Sequence, residues 1–519
     1  MNNRDYNVLF NLHTVSGIVI SVGLFVIFFA GSFSFFRDEI VNWERNEATA
    51  NSQGMHIDFD EALDSIQKNY NLNGRDIQIS KTFDERRVNV SLGASKDTLA
   101  TEENKAGAYF YLDPLTYKSY SYIKSYTLGE FLYRLHFFAQ IYYPVGYYLS
   151  GFVALCFLFA IVTGVLVHWD KIVSNFYVFR PWAKLKTLWT DAHTGLGMIG
   201  LPFQFVYAVT GAFFMLQILL VAPSVFTIYD GDQAQLYEDL EFTDKPVAFK
   251  NNPLESNFSI NELVSKTKEK WNGFEVSEVH IFNYGDKNMH VAVEGALGYD
   301  NQLTAPGKAV YKISPQLLVF EKDPFKQASY LDQAKNLLYR LHYGDYGGYL
   351  LKIASFILGI ISCLVIVSGV MIWLVARDKK NMPEKKRKFN NAVVRIYLAI
   401  CLSMFPVTAL AFIAVKIYPN EGQSFIYSFY FISWLLFSTF LFLKKNLRFM
   451  TRFCLILGGI LAIFIPLLDG FVSGNWVWSI LLKPESNLYV VDLLWLLIAI
   501  TSLFAAYKSA KMNTAKNFL

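Results

Sequence analysis

The stretch Leu132–His136 (LYRLH) occurs a second time, letter for letter, at Leu338–His342. After each copy an apolar stretch carries a similar short sequence, Val-Thr-Gly-Val at 162–165 and Val-Ser-Gly-Val at 367–370. Internal repeats this far apart indicate that the fold contains two copies of one structural unit.

A His-Thr pair followed by two glycines begins each copy, and the glycines stand at the same spacings in both. The positions are His13 with Gly17 and Gly31, and His193 with Gly197 and Gly211. The repeats predict three parts: a first repeat at 1–171, a second at 190–379, and a C-terminal four-helix membrane domain at 390–519 that matches neither. Both copies run in the same direction, so a pseudo-twofold axis should lie along the membrane normal.

The composition is that of a membrane protein. Of 519 residues, 53% are hydrophobic and only 17% are charged, whereas a soluble protein has about 25% charged residues. A transmembrane helix needs about 20 apolar residues. Eight stretches qualify: 10–36, 141–168, 193–221, 351–375, 393–417, 425–443, 453–468 and 488–507. We therefore predict a polytopic α-helical protein in a lipid bilayer, and the small net charge of +4 gives no reason to expect a nucleic-acid partner.

Lysine and arginine are concentrated in the loops 169–192, 376–392 and 444–452 and in the tail after 507. Positive loops stay in the cytoplasm. The pattern predicts a bacterial inner-membrane protein with both termini in the cytoplasm and with 38–131 and 222–338 in the periplasm.

Each of these two segments shows a helix pattern followed by strand-like alternation. The helix patterns are Asp58–Tyr70 and Ser259–Trp271, and the strand patterns include Arg87–Leu92, Ala108–Leu112, His290–Val293 and Ala309–Ile313. We predict two duplicated periplasmic α+β domains.

The histidines indicate a cofactor site. A pseudo-twofold axis would bring His13 opposite His193 near the cytoplasmic face, and His136 opposite His342 near the periplasmic face. Two facing imidazoles can supply both axial ligands of a haem iron, and helix bundles commonly hold cofactors in this way. Ionisable groups in a membrane are costly and usually functional. The pattern therefore predicts two haem b groups and gives little reason to expect a lone zinc or iron site.

Three further residues belong to the predicted sites. His168 has no counterpart in the second copy, where Trp373 takes its place. It could replace His13 or His193 as a ligand or support one of them. Arg134 and Arg340 precede the second pair of histidines by two residues, and each could bind a haem propionate, a lipid phosphate or an acidic side chain.

Together the HTxxG…G start, the LYRLH element, the duplicated segments and Tyr111–Thr116 (YLDPLT) resemble the PepSY-associated transmembrane family over about 10–380. The family includes inner-membrane siderophore reductases that bind two haems. The resemblance implies that His13, His193, His136 and His342 are the ligands and that a ferric siderophore or other ferric complex is reduced in the periplasm. The extra His168 and the four added spans depart from the family pattern.

The chain has no Gly-rich dinucleotide fingerprint, so a membrane quinol or a soluble reductant is expected to supply electrons. No individual catalytic residue is indicated. One alternative is a non-enzymatic PepSY-type sensor or peptidase-binding protein that needs no haem. A transporter is a third possibility, but clustered acidic residues are missing from the spans, and Asp492 is the one clear candidate for a proton path.

Overall fold

The structure is a computed structural model that describes residues 2–49, 54–171, 174, 177, 180, 183–298, 305–326, 328–377, 382–481 and 487–514. The chain forms two units. The membrane unit contains Met1–Asn46, Thr127–Ala222 and Leu341–Leu519, and the sheet unit contains Glu47–Tyr126 and Pro223–Arg340. The predicted end of the second repeat at 379 lies outside the described residues.

Eight helices of the described residues are long and apolar enough to cross a membrane, in agreement with the eight predicted stretches. We number them spans 1 to 8: Asn3–Ser34, Val145–His168, Leu185–Ile228, Gly348–Arg377, Glu384–Ile417, Gly422–Lys444, Leu447–Ser473 and Tyr489–Thr514. Several extend beyond the apolar stretch because polar residues continue the helix past the hydrocarbon region. Span 1 packs against spans 2 and 4, and span 5 packs against spans 4, 6 and 7.

Short helices connect the spans to the sheet unit. They are Arg37–Arg45 after span 1, Leu128–Leu135 before span 2 and Tyr330–Tyr343 before span 4. The chain breaks where proline and glycine predict it: Pro144 precedes span 2, and a 3₁₀ turn at Asp345–Gly347 precedes span 4. Without an N–H, proline cannot continue the preceding helical hydrogen bonding, and Gly344 adopts a positive φ of 63°.

The C-terminal domain, spans 5 to 8, differs from the expectation in one respect. Asp492 was predicted as the one clear acidic candidate for a proton path, with an interfacial position as the alternative. It is instead fully buried on span 8, within hydrogen-bonding reach of the carboxyl group of Asp469 on span 7. The sequence conceals this pair because the two residues lie on helices that meet only in the folded domain.

The sheet unit contains helices and strands from both predicted segments. The first segment provides the helices Phe59–Gln67 and Glu102–Lys105 with strands β1 (Ile77–Ser80), β2 (Val88–Leu92), β3 (Ala108–Leu112) and β4 (Ser119–Ser121). The second provides the helices Gln233–Asp239 and Ile260–Lys270 with β5 (Phe274–Phe282), β6 (His290–Leu297), β7 (Pro306–Lys312) and β8 (Leu317–Lys322).

All eight strands form one antiparallel sheet in the order β4-β3-β2-β1-β5-β6-β7-β8. Two separate domains, the arrangement expected from sequence, are therefore not observed. The two segments join through β1 and β5, where Ile77 pairs with Ile281 and Ile79 with Val279, all fully buried. Pairing removes the open edge that each four-stranded half would otherwise present to water.

Candidate functional site

The imidazole rings of His13 on span 1 and His193 on span 3 lie next to each other, with centroids 6.1 Å apart and an angle of 67° between the ring planes. The His13 Nδ1 atom lies 2.8 Å from the carbonyl oxygen of Ala160, and His193 Nδ1 lies 2.9 Å from that of Val365. A carbonyl can only accept, so each Nδ1 carries the hydrogen and donates it. Each Nε2 therefore keeps its lone pair, which a metal could use.

Two glycines allow this arrangement. A Cβ atom at Gly164 would lie 3.0 Å from His13 Cε1, and one at Gly369 would lie 3.2 Å from His193 Cε1. These glycines belong to the repeated Val-Thr-Gly-Val and Val-Ser-Gly-Val sequences. The repeats thus place an equivalent glycine and an equivalent carbonyl beside each histidine, and the rings lie directly against the backbones of spans 2 and 4.

A second pair consists of His136 and His342, whose ring centroids are 6.3 Å apart with 30° between the ring planes. His136 Nδ1 donates to the carbonyl oxygen of Tyr133. His342 Nδ1 lies 2.8 Å from the hydroxyl oxygen of Thr210. That hydroxyl donates its own hydrogen to the Val206 carbonyl at 2.7 Å, so its oxygen accepts from His342. Both rings again keep Nε2 available.

The second pair is electrically neutral at physiological pH. Burial lowers the pKa of His136 to about 4. Burial, together with the neighbouring His136, lowers the pKa of His342 to about 3. Neutral imidazole is the form that ligates metals, so no proton has to be displaced from this pair before a metal binds.

The spacing of both pairs fits one metal ion between two imidazoles. Metal–nitrogen bonds to histidine are about 2 Å long, and the ring centre lies roughly 1 Å behind the nitrogen, so two axial rings should have centroids about 6 Å apart. The observed separations of 6.1 and 6.3 Å meet this requirement. A square-planar group such as haem needs only these two protein ligands. Among the described residues, no group of three or more His, Cys, Asp or Glu could hold a metal ion by itself.

Space for a flat group is present beside the first pair. A Cβ atom at Gly17 or Gly197, one helical turn after His13 or His193, would meet no atom within 4 Å. Span 3 is also the least buried of spans 1 to 4. In its most apolar segment 22% of the residues are buried, against 44% in span 1. Gly31 instead lies beside His136: a Cβ atom added at Gly31 would be 3.8 Å from the Cβ atom of His136.

The remaining predicted residues are placed as follows. His168 ends span 2 and lies close enough to His193 to interact with it electrostatically, which fits a supporting position. Arg134 Nε donates to Glu130 at 2.8 Å, the acidic partner that was one of its predicted alternatives. Arg340 is half-buried in the helix that carries His342. Roles of these three residues in cofactor binding stay predictions.

Glu130, in the helix that precedes His136, forms two ion pairs. Its carboxylate accepts from Arg37 Nη2 at 2.8 Å as well as from Arg134. Although burial raises the pKa of Glu130, these two arginines hold it at about 2. The helix Leu128–Leu135, which His136 follows directly, is therefore fixed by a buried ion pair to the helix Arg37–Arg45 that comes after span 1.

A set of aromatic contacts between the two pairs was not predicted. Phe28 contacts Phe203 with ring centroids 6.4 Å apart, Phe203 contacts Tyr207 at 4.3 Å, and Tyr207 contacts His342 at 5.2 Å. These residues look like ordinary apolar positions of spans 1 and 3. Their contacts with each other and with His342 form only in the folded unit, so the sequence does not reveal them.

Comparison with known protein families gives a match that covers most of the chain. A family model described as the PepSY-associated TM region matches residues 10–376, which include all four histidines of the two pairs. A comparison with curated proteins finds none that matches. Spans 5 to 8 lie beyond the matched region.

Proposed function

The chain belongs to the family of proteins with a PepSY-associated transmembrane region, and we propose that it is a di-haem electron-transfer protein that reduces ferric iron or a ferric siderophore in the periplasm. The two haem b groups bind at the His13–His193 and His136–His342 pairs. Electrons come from a membrane quinol or a soluble reductant, because the sequence carries no dinucleotide-binding fingerprint. The protein lies in the bacterial inner membrane.

The observation that carries this proposal is the matching geometry of the two histidine pairs. Each pair has the separation that a metal ion held between two imidazoles would require, and each ring has its Nδ1 hydrogen bonded so that Nε2 is available. A packing role for four separate histidines would not require either property. Anchoring of the second nitrogen is the usual arrangement around metal-ligating histidines.

The residues of the chain orient and isolate the cofactors. When bound, each haem supplies one-electron redox chemistry. The Ala160 and Val365 carbonyls hold the first two rings, and Tyr133 and Thr210 hold the second two. These bonds limit reorientation of the ligands.

The two sites lie near opposite ends of span 1. His13 stands near the start of the helix, and Gly31, which contacts His136, stands 18 residues later. At 1.5 Å per residue these positions are separated by about 27 Å along the helix axis, which is close to the thickness of the hydrocarbon core, about 30 Å. The arrangement suits movement of electrons from one face of a membrane to the other.

Reduction would release iron for a simple chemical reason. Siderophores bind iron through hard oxygen donors, which suit Fe(III) better than the softer Fe(II). One electron per iron, taken from the membrane quinol or soluble reductant, converts the tightly held ion into a weakly held one.

The experiment that tests the proposal starts with the absorption spectrum of the purified full-length protein, oxidised and dithionite-reduced, with haem quantified per chain. We expect a six-coordinate b-type spectrum and two haems per chain. His13→Ala and His136→Ala should each leave one haem, and His56→Ala, an exposed histidine of the sheet unit, should leave two. Addition of a ferric siderophore to the pre-reduced protein should reoxidise the haem. A colourless protein after expression with ample haem would contradict the proposal.

A further inference from the structure

The C-terminal domain contains a buried cluster of charged residues at one end of its helices. Lys416 of span 5, Asp469 of span 7 and Asp492 of span 8 are 3%, 0% and 0% exposed. The Lys416 ammonium lies 2.6 Å from Asp469 Oδ1. Burial of charged groups costs free energy unless each charge is paired. One ammonium group can neutralise only one of the two carboxylates, so the state of the other carboxyl group has to be explained.

Trp43, on the helix Arg37–Arg45, contacts both Lys416 and Asp492 of the cluster. Lys416 Nζ donates to the Trp43 carbonyl oxygen at 2.6 Å and to Ser473 Oγ at 3.1 Å, and it lies 4.1 Å from the Trp43 ring centroid. The indole Nε1 of Trp43 donates to Asp492 Oδ1 at 3.1 Å. The ammonium group thus has two hydrogen-bond acceptors in addition to its ion pair with Asp469.

The two carboxyl groups are less well satisfied. Asp469 Oδ2 and Asp492 Oδ2 are both buried, and neither has a hydrogen-bond donor. The same two carboxyl groups lie within hydrogen-bonding reach of each other. Adjacent carboxylates in a site of low polarity cannot both be ionised, and a proton between two such oxygen atoms would supply the missing donor.

Charge counting gives the same answer. The cluster has two carboxyl groups and one ammonium group, so these three side chains are together neutral only when one proton is bound. Glu44, on the same helix as Trp43, interacts electrostatically with Lys416 and with Arg45.

We infer that Asp469 and Asp492 share one proton and that these residues, with Lys416, form a proton-binding site in the C-terminal domain. Only an O–H bond forms or breaks there, and the proton is exchanged with water. Glu44, whose pKa burial raises to about 7, interacts electrostatically with Lys416 of this site.

The helix that carries Trp43 also contacts the helix that precedes His136. Glu44 Oε2 accepts from the backbone N–H of Leu128 at 2.6 Å. Leu128 begins the helix Leu128–Leu135, and His136 follows directly after it. The helix Arg37–Arg45 therefore contacts both the cluster and the helix that leads to a histidine of the second pair.

Infrared spectroscopy of the full-length protein tests the inference, because a protonated carboxyl group has a carbonyl stretch that a carboxylate lacks. At neutral pH we expect one such acid signal from the cluster, shifted in D₂O, that disappears in Asp469→Asn and in Asp492→Asn. Asp113→Asn is the matched control. Asp113 is equally buried, at 2%, but Arg86 pairs with it at 2.6 Å, so its removal should reduce only carboxylate absorption.

Two further variants keep the test decisive if an asparagine variant does not fold. Glu44→Gln removes a neighbouring acid that is partly protonated at neutral pH and should leave the cluster signal in place. Lys416→Met removes the only ammonium group and should roughly double the signal, since both carboxyl groups then bind protons. Loss of carboxylate absorption alone in Asp469→Asn and Asp492→Asn, or a Glu44→Gln protein with no acid signal at neutral pH, would overturn the inference. Neither outcome depends on whether haem is bound.

Discussion

Substitution of Gly164 by alanine should weaken cofactor binding at the first histidine pair and leave the second pair intact. The added Cβ would lie 3.0 Å from His13 Cε1 and 3.2 Å from Nδ1, whereas carbon atoms in contact prefer about 3.5–4.0 Å. The His13 ring must therefore move by roughly half an ångström. Such a movement pulls Nδ1 away from the Ala160 carbonyl, to which it donates at 2.8 Å.

The expected magnitude follows from that hydrogen bond. Its loss costs about 1 kcal/mol, and removal of a partner that orients a metal ligand typically lowers metal affinity by about 10- to 100-fold. We expect haem to bind the first pair about 10-fold more weakly in Gly164→Ala. Gly369→Ala should have a smaller effect, because its Cβ would lie 3.2 Å from His193 Cε1.

The assay is a titration of cofactor-free protein with haemin, followed by visible absorption. The variant should show one unchanged and one weakened phase. Gly23→Ala is the control within span 1, since its Cβ would lie an ordinary 3.4 Å from Val153 Cγ2. In the control, binding should be unchanged, and the Tm should rise slightly because alanine favours a helix over glycine by up to about 1 kcal/mol. Equal affinities in Gly164→Ala and Gly23→Ala would refute the reasoning.

Three further predictions concern other contacts. Thr210→Val removes the acceptor of His342 Nδ1 and should weaken haem binding at the second pair by about 10- to 100-fold in the same titration; wild-type affinity would rule out an anchoring role. The pKa of Glu130 is held at about 2, below its ordinary 4.5, so its ion pairs contribute stability that is present above pH 4.5 and lost as the pH falls towards 2. Thermal unfolding should show a loss of about 3 kcal/mol over that window, which Glu130→Gln should abolish. Asp60 accepts from Ser259 Oγ at 2.5 Å and from the Ile260 N–H at 2.7 Å, so Asp60→Ala should destabilise the sheet unit by about 1–2 kcal/mol; an unchanged midpoint in denaturant would contradict this.

Much of the site could be predicted because it depends on repetition. The spacing of His13 and His193 within their copies is identical, and a symmetric arrangement of copies brings equivalent residues together. The breaks at Pro144 and Gly344 also follow from local chemistry. Asp58 and Ser259 cap two of the helices of the sheet unit, Phe59–Gln67 and Ile260–Lys270, as these residue types indicate.

Other features depend on contacts that leave no pattern in the sequence. The Ala160 and Val365 carbonyls are backbone atoms, so no residue type identifies them. Thr210 looks like any hydroxyl residue of an apolar helix. Asp469 and Lys416 are distant from Asp492 along the chain, and only the packing of three helices reveals the cluster. The pairing of β1 with β5 likewise depends on which strand edges remain open after each half has folded.

Both histidine pairs and the centre of the sheet take one member from each repeat. A half-length chain that contained one repeat would hold single histidines instead of pairs, and β1 or β5 would be left as an open edge. Two such chains could restore every one of these contacts only as an isologous dimer around the same axis. When the two halves are co-expressed as separate polypeptides, they should therefore associate through pairing of β1 with β5. Neither half alone should bind haem with two histidine ligands.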